Sequence, residues 1–147
     1  MRFVLSTVTV LAIGAGSASA QTAADTGAIR AAALDYAEGW YEGNGARMAR
    51  AVHPELVKRI VMWDSVSKRS VIQTMGATAL VNGTFRGFGK DTPADRQAKA
   101  VSVLDVFQNV ASVRVTMADW IDYLQLAKVE GRWVIVNVLW ERKAKGR

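Results

Sequence analysis

The chain has 147 residues, half of them hydrophobic, with a formal net charge of +6, one histidine and no cysteine. That length suits one domain with a core of ordinary size. The absence of thiols excludes disulfides, a lipidated N-terminal cysteine and thiolate metal sites, and a single histidine without clustered carboxylates leaves too few ligands at recognisable spacing for a metal centre.

The first residues read as an address rather than as part of the fold. Arg2 supplies positive charge, Phe3 to Ala15 is mostly apolar, and Ala18-Ser19-Ala20 gives a small-x-small cleavage pattern before Gln21. This is the pattern of a signal peptide over residues 1–20, cut after Ala20, and the apolar run is too short for a membrane anchor. The expected product is a periplasmic or secreted domain over residues 21–147. Its basic residues are scattered apart from Lys58-Arg59, Lys68-Arg69 and the Glu141–Arg147 tail, which fits a solvated surface better than a nucleic-acid interface.

Thr22 to Asp25 offers a helix cap, and Ile29, Ala33, Tyr36 and Trp40 follow on one helical face. Gly43-Asn44-Gly45 stops that helix, and Asn44 can cap a second, shorter one carrying Met48 and Val52. Pro54 ends the second helix by restricting His53 and can open a further helical turn over 54–58, so His53 is expected at a hinge. Ile60 to Trp63 reads as a short strand, Ser70 to Val81 as a weak helix interrupted by Gly76, and 82–97 as a loop. Beyond Lys99 the period becomes two, predicting strands at about 99–107, 110–118, 120–129 and 132–141. Helices followed by an antiparallel meander make an α+β domain.

The last hairpin can be registered from its turn. Glu130-Gly131 sets Lys128 opposite Trp133, Leu126 opposite Ile135 and Leu124 opposite Asn137. Regular alternation then puts Asp122, Leu124, Leu126, Ile135, Asn137 and Leu139 on one face, and Tyr123, Gln125, Ala127, Val134, Val136, Val138 and Trp140 on the other. Both faces are apolar enough to need cover. The helices can cover the first, and a homodimer packing Val136, Val138 and Trp140 at its centre would cover the second.

The segments "ALDYAEGWYEGNGARMARAVHPELVKR" (33–59), "VLDVFQNVASVRV" (103–115) and "DYLQLAKVEGRWVIVNVLWER" (122–142) resemble the putative lumazine-binding family. That family belongs to the nuclear transport factor 2-like superfamily, with ketosteroid isomerase and scytalone dehydratase among its members. The resemblance spans nearly all of residues 21–147 and implies a cone: a curved antiparallel sheet wraps the N-terminal helix and encloses a pocket at its open end. It does not carry a reaction with it.

Seven residues are candidates for the pocket chemistry. Asp122 beside leucines would lose hydration, the setting in which a carboxylate serves as general base, although an exposed strand end that caps a turn is the commoner role. Asn137, in mid-strand, needs hydrogen-bond partners or a ligand if buried. His53 titrates near neutrality, yet a lone histidine is more often a structural cap. Tyr36, Trp40, Tyr41 and Trp63 could line a site for a flat ligand, although Tyr36 and Trp40 at helical spacing are more often plain core. Arg86-Gly-Phe-Gly89 and Gly89-Lys90 copy fragments of an RNA-binding strand and a phosphate loop, but the residues around them do not continue either motif.

The leading expectation is therefore an exported domain that binds a small aromatic or apolar molecule, with no cofactor implied. The alternative is an isomerase or dehydratase using Asp122 as base with Tyr36 or His53. A third reading is an interaction module whose cone is filled by its own side chains. The direction of Asp122 and the presence of a cavity separate the three.

Overall fold

The computed structural model describes residues 15–144, with side chains from residue 23 onward. Most of the proposed signal segment, residues 1–14, lies outside the described residues. Helix α1 (Ala15–Glu42) buries Ile29, Ala33, Tyr36, Ala37 and Tyr41 on one face, the spacing expected of a core-facing helix. Thr22 and Asp25 lie inside this helix rather than at its start. Asp25 instead reaches across the fold, accepting hydrogen bonds from Lys128 Nζ at 2.8 Å and from the Trp133 indole at 2.9 Å.

The corner that follows forms as its residues dictate. Gly43 adopts φ +66°, the left-handed conformation that stops a helix at little cost to glycine. Its N–H donates to Trp40 O, and the Asn44 N–H donates to Gly39 O, closing the helix with the paired bonds of a Schellman turn. Asn44 then caps α2 (Gly45–Ala51), accepting from the Arg47 N–H at 3.0 Å. Arg47 ties the corner together, bonding Asp35 at 2.8 Å, Glu42 at 2.7 Å and also Glu38, while Lys99 bonds Glu38 at 2.8 Å. Burial alone would raise the Asp35 carboxyl, but hydrogen bonds from Arg50 and Arg47 outweigh it and hold it below the usual range.

Two expectations about the next segment are overturned. No helical turn forms over 54–58, because β1 (Val52–Asp64) begins directly after α2 and absorbs both that turn and the short strand expected at 60–63. Pro54 is tolerated because it sits in the irregular stretch between the Val52–Ile135 and Val57–Asn137 pairs, where its missing N–H costs no ladder bond. Likewise Ser70–Val81 is not one helix. β2 (Arg69–Gly76) pairs with β1, and α3 (Ala77–Phe85) starts after Gly76. The edge strand's ladder bonds to β1 override a helical pattern that was weak to begin with.

The remaining strands fall within a residue or so of expectation: β3 (Lys99–Phe107), β4 (Val110–Met117), β5 (Trp120–Val129) and β6 (Arg132–Arg142). Together they form a six-stranded sheet ordered β2-β1-β6-β5-β4-β3. Only the central β1–β6 pair is parallel, so the sheet is antiparallel-dominated rather than a pure meander. This is the α+β arrangement expected. Its inner face, with Leu56, Val113, Val115, Met117, Leu124, Leu126, Ile135 and Val138, packs on α1 and α2 through Ile29, Tyr36 and Met48.

The hairpin register departs from regular alternation at one place. Leu126 faces Ile135 as expected, but Gln125 then faces Asn137 and Leu124 faces Val138. Val136 is the extra residue of a β-bulge, and beyond it every β6 side chain switches face. Val138 is fully buried in the core, and Trp140 packs against it. Asn137 and Leu139 turn to the outer face. A sheet-face contact centred on Val136, Val138 and Trp140 is therefore not available, because those residues do not share a surface.

Candidate functional site

Alternation on β1 puts Leu56, Lys58 and Ile60 on the inner face, and on β5 it does the same for Trp120, Asp122 and Leu124. Two ionisable groups are thereby carried into an apolar layer, and the sheet brings them together. Lys58 Nζ donates to Asp122 Oδ1 at 2.8 Å, Trp120 Nε1 donates to Asp122 Oδ2 at 3.0 Å, and Tyr36 OH donates to the same Oδ2 at 3.3 Å. Lys58 also hydrogen-bonds the Tyr36 hydroxyl. Its ammonium lies 4.8 Å from the Trp140 ring centroid and 5.2 Å from that of Tyr36, within cation–π range of both.

The electrostatics follow from burial. The Asp122 side chain is 0 % exposed and that of Lys58 10 %. Desolvation pulls Lys58 below its usual 10.5, against the opposing pull of Asp122. Burial and the neighbouring carboxylate push the Tyr36 hydroxyl well above its ordinary value, so it remains a protonated donor.

Above this triad opens a cavity of about 930 Å³. Tyr36 and Lys58 line its polar part, and Trp40, Trp120, Trp140, Leu80 and Met117 line its apolar walls. Trp120 is the keystone of the wall, meeting Trp40 edge-on at 6.1 Å and Trp140 at 5.9 Å. Gly89 fixes the back of Trp40, since a Cβ there would stand 2.3 Å from Trp40 O and 2.5 Å from its indole. The Trp40 Nε1 is buried and has no hydrogen-bond partner among the described residues. Asp122 does not line the cavity: it stands behind Lys58 and Tyr36 and holds them in place.

The seven sequence candidates thus divide. Tyr36, Trp40 and Asp122 are brought together at one site. Tyr41 is core and does not line the cavity; its hydroxyl donates to Ala98 O at 2.9 Å and accepts from the Ala118 N–H at 2.9 Å. His53 is not part of it; its Nδ1 accepts from the Glu55 N–H at 3.2 Å, a local cap at the start of β1. Trp63 is 65 % exposed at the far end of β1. Asn137 lies on the outer face, bonded to Arg59 and Gln125. Lys58, Trp120 and Trp140 were not among the candidates. The signal for Lys58 was present in Leu56-x-Lys58-x-Ile60, a lysine between two aliphatics at period two, but it is readable only once 54–58 is taken as strand. Trp140 was placed on the wrong face by the unseen bulge. Among the described residues no cluster of three or more metal-binding side chains occurs.

Comparison with known proteins agrees with this architecture. The family model described as putative lumazine-binding matches residues 24–141. An NTF2-like protein of unknown function from Shewanella baltica OS155 superposes with a TM-score of 0.63 at 17% identity, covering 84% of this chain and 97% of that one. An NTF2-like protein of unknown function from Methylobacillus flagellatus KT gives 0.61 at 19% identity, covering 82% and 94%. An NTF2-like protein with a cystatin-like fold from Novosphingobium aromaticivorans gives 0.62 at 12% identity, covering 84% and 85%. At such identities these neighbours show a shared fold alone. No curated protein sequence matches the chain.

Proposed function

The chain belongs to the putative lumazine-binding family, and from that membership and the open cavity we propose that it binds a small aromatic or apolar molecule against the three tryptophans. The carrying observation is the cavity itself: about 930 Å³, walled by Trp40, Trp120 and Trp140, with the Lys58 ammonium among its lining, one N–H of which is left after those given to Asp122 and Tyr36. Flat walls with one fixed donor suit a planar ligand bearing a carbonyl or similar acceptor. Asp122 serves in this reading as a positioning residue, because its carboxylate has no open side from which to abstract a ligand proton. A proton-transfer enzyme with Asp122 as base would require that side to open.

Titration with lumazine, riboflavin and a steroid, followed by tryptophan fluorescence, tests the reading directly. Three of the five tryptophans line the cavity, so occupancy should quench or shift a large part of the emission. Absence of any response to all three ligands would overturn the proposal.

Two further parts belong to the same proposal. Export rests on the pattern of residues 1–20. N-terminal sequencing of protein recovered outside the cytoplasm should begin at Gln21, and a start at Met1 would overturn it. A two-fold dimer remains the simplest cover for the outer sheet face. After the bulge, that face presents Val61, Ile72, Tyr123 and Leu139, each half-exposed or more.

A further inference from the structure

The mouth of the cavity differs in kind from its interior. Arg96, Arg142 and Lys143 line it together with a single carboxylate, Asp119. Two of the three cations are already engaged. Arg96 bonds Asp119 at 3.3 Å, and Lys143 Nζ donates to the Met117 carbonyl at 2.6 Å and to that of Ala118 at 3.1 Å. The Arg142 side chain has no hydrogen bond or ion pair among the described residues. The sheet geometry explains where it stands. Arg142 pairs with Trp120 across β5–β6 and lies two residues beyond Trp140, so it continues the inner face at the point where that face leaves the core. Glu141, the nearest carboxylate in sequence, pairs with Ile121 and takes the opposite face.

We propose that the ligand is an amphipathic carboxylate, its aromatic body between the tryptophans and its anionic group on Arg142 at the mouth. This rests on the ligand-binding reading of the same cavity and adds the charge of the ligand to it. Asp119 is neutralised by Arg96, so the local balance at the entrance is positive. The guanidinium offers a planar pair of donors that matches a carboxylate. Inside, Lys58 cannot play that part, because Asp122 already compensates its charge. A ligand carrying its carboxylate inward would place two anions about one ammonium in an apolar layer, a costly arrangement. The charge difference between mouth and interior therefore orients the ligand, with acid outward and ring inward. Gradients of salt should act on it, because a partly exposed pair is screened.

The test uses a matched pair of probes, 2-naphthoate and its neutral methyl ester, measured by calorimetry on the full chain at low salt. The expected result is about tenfold tighter binding of the acid, the worth of a charge-assisted contact, declining as salt is added. Arg142→Gln should bring the ratio of the two affinities to about one. Arg142 is exposed and unpaired, so this variant should fold, and circular dichroism verifies that it does. Equal binding of both probes by the unmodified chain would overturn the anion site and leave the cavity reading standing. An acid preference that survives Arg142→Gln would overturn the assignment to that residue. Binding of neither probe would overturn both readings together.

Discussion

Asp122→Ala is expected to lower the unfolding free energy by about 3–5 kcal/mol, the usual cost of leaving one half of a buried pair uncompensated. Lys58 would remain in a layer of aromatic rings with only the Tyr36 hydroxyl to receive it, and the Trp120 indole would lose its acceptor. The damage should depend on pH in a definite direction. Burial already draws the Lys58 ammonium below 10.5, and the carboxylate is what opposes that shift. Without the carboxylate the folded-state value drops further, while the unfolded chain keeps the ordinary one. Between the two values the unfolded state binds more protons, so the variant gains stability as pH rises toward 10.5. Its deficit is greatest at low pH. The companion is Lys58→Met with Asp122→Leu, which removes both charges and should recover most of the loss, since hydrophobic replacement of a buried pair is often neutral or better. Urea melts of the three proteins at two pH values read all of this. A single variant that loses less than about 1 kcal/mol would show that the pair carries little of the fold.

The helical corner and the four C-terminal strands were legible because their signals are local. Gly43-Asn44-Gly45 stops one helix and caps another whatever surrounds it, and the period of two from Lys99 onward needs no partner to be recognised. What failed was settled at a distance. Pro54 normally opens a helix or a turn, and nothing nearby reveals that β6 lies alongside to accept 52–60 as a parallel neighbour. Ser70–Gly76 buries almost nothing, so its strand conformation comes from ladder bonds to β1 and leaves no hydrophobic imprint in the sequence.

The site was half legible for the same reason. Tyr36, Trp40 and Asp122 sit in elements whose faces follow from periodicity, and they meet in the structure. Lys58 was hidden by the misread turn. Asn137 and Trp140 exchanged places because both faces of β6 are apolar: Ile135, Asn137 and Leu139 make as plausible an inner row as Val134, Val136, Val138 and Trp140. Alternation alone has no means of choosing where one residue is skipped. The bulge at Val136 takes Ile135 from one row and Val138 with Trp140 from the other, and by doing so it delivers Trp140 over Lys58.

That bulge makes a prediction large enough to need no fine measurement. Val138 is fully buried and Leu139 half exposed, although regular alternation from the hairpin turn assigns them the other way round. Val138→Glu would push a second carboxylate into the layer beside Leu124 and Lys58, whose ammonium Asp122 already compensates. An unpaired buried charge costs at least several kcal/mol, comparable to the whole stability of a domain this size, commonly about 5–15 kcal/mol. The expected product is insoluble or lacks a cooperative melt. Leu139→Glu places the same charge beside Tyr123 and Arg59 on the outer face, where water reaches it, and should fold with a loss of about 1 kcal/mol or less. The same variant then examines the proposed dimer, because Leu139 lies in the apolar part of that face. Sedimentation of the unmodified chain should give a dimer at micromolar concentration and that of Leu139→Glu a monomer. A monomer in both cases would remove the dimer and leave the bulge intact. A soluble Val138→Glu beside an unfolded Leu139→Glu would restore the regular register and turn Trp140 away from the site.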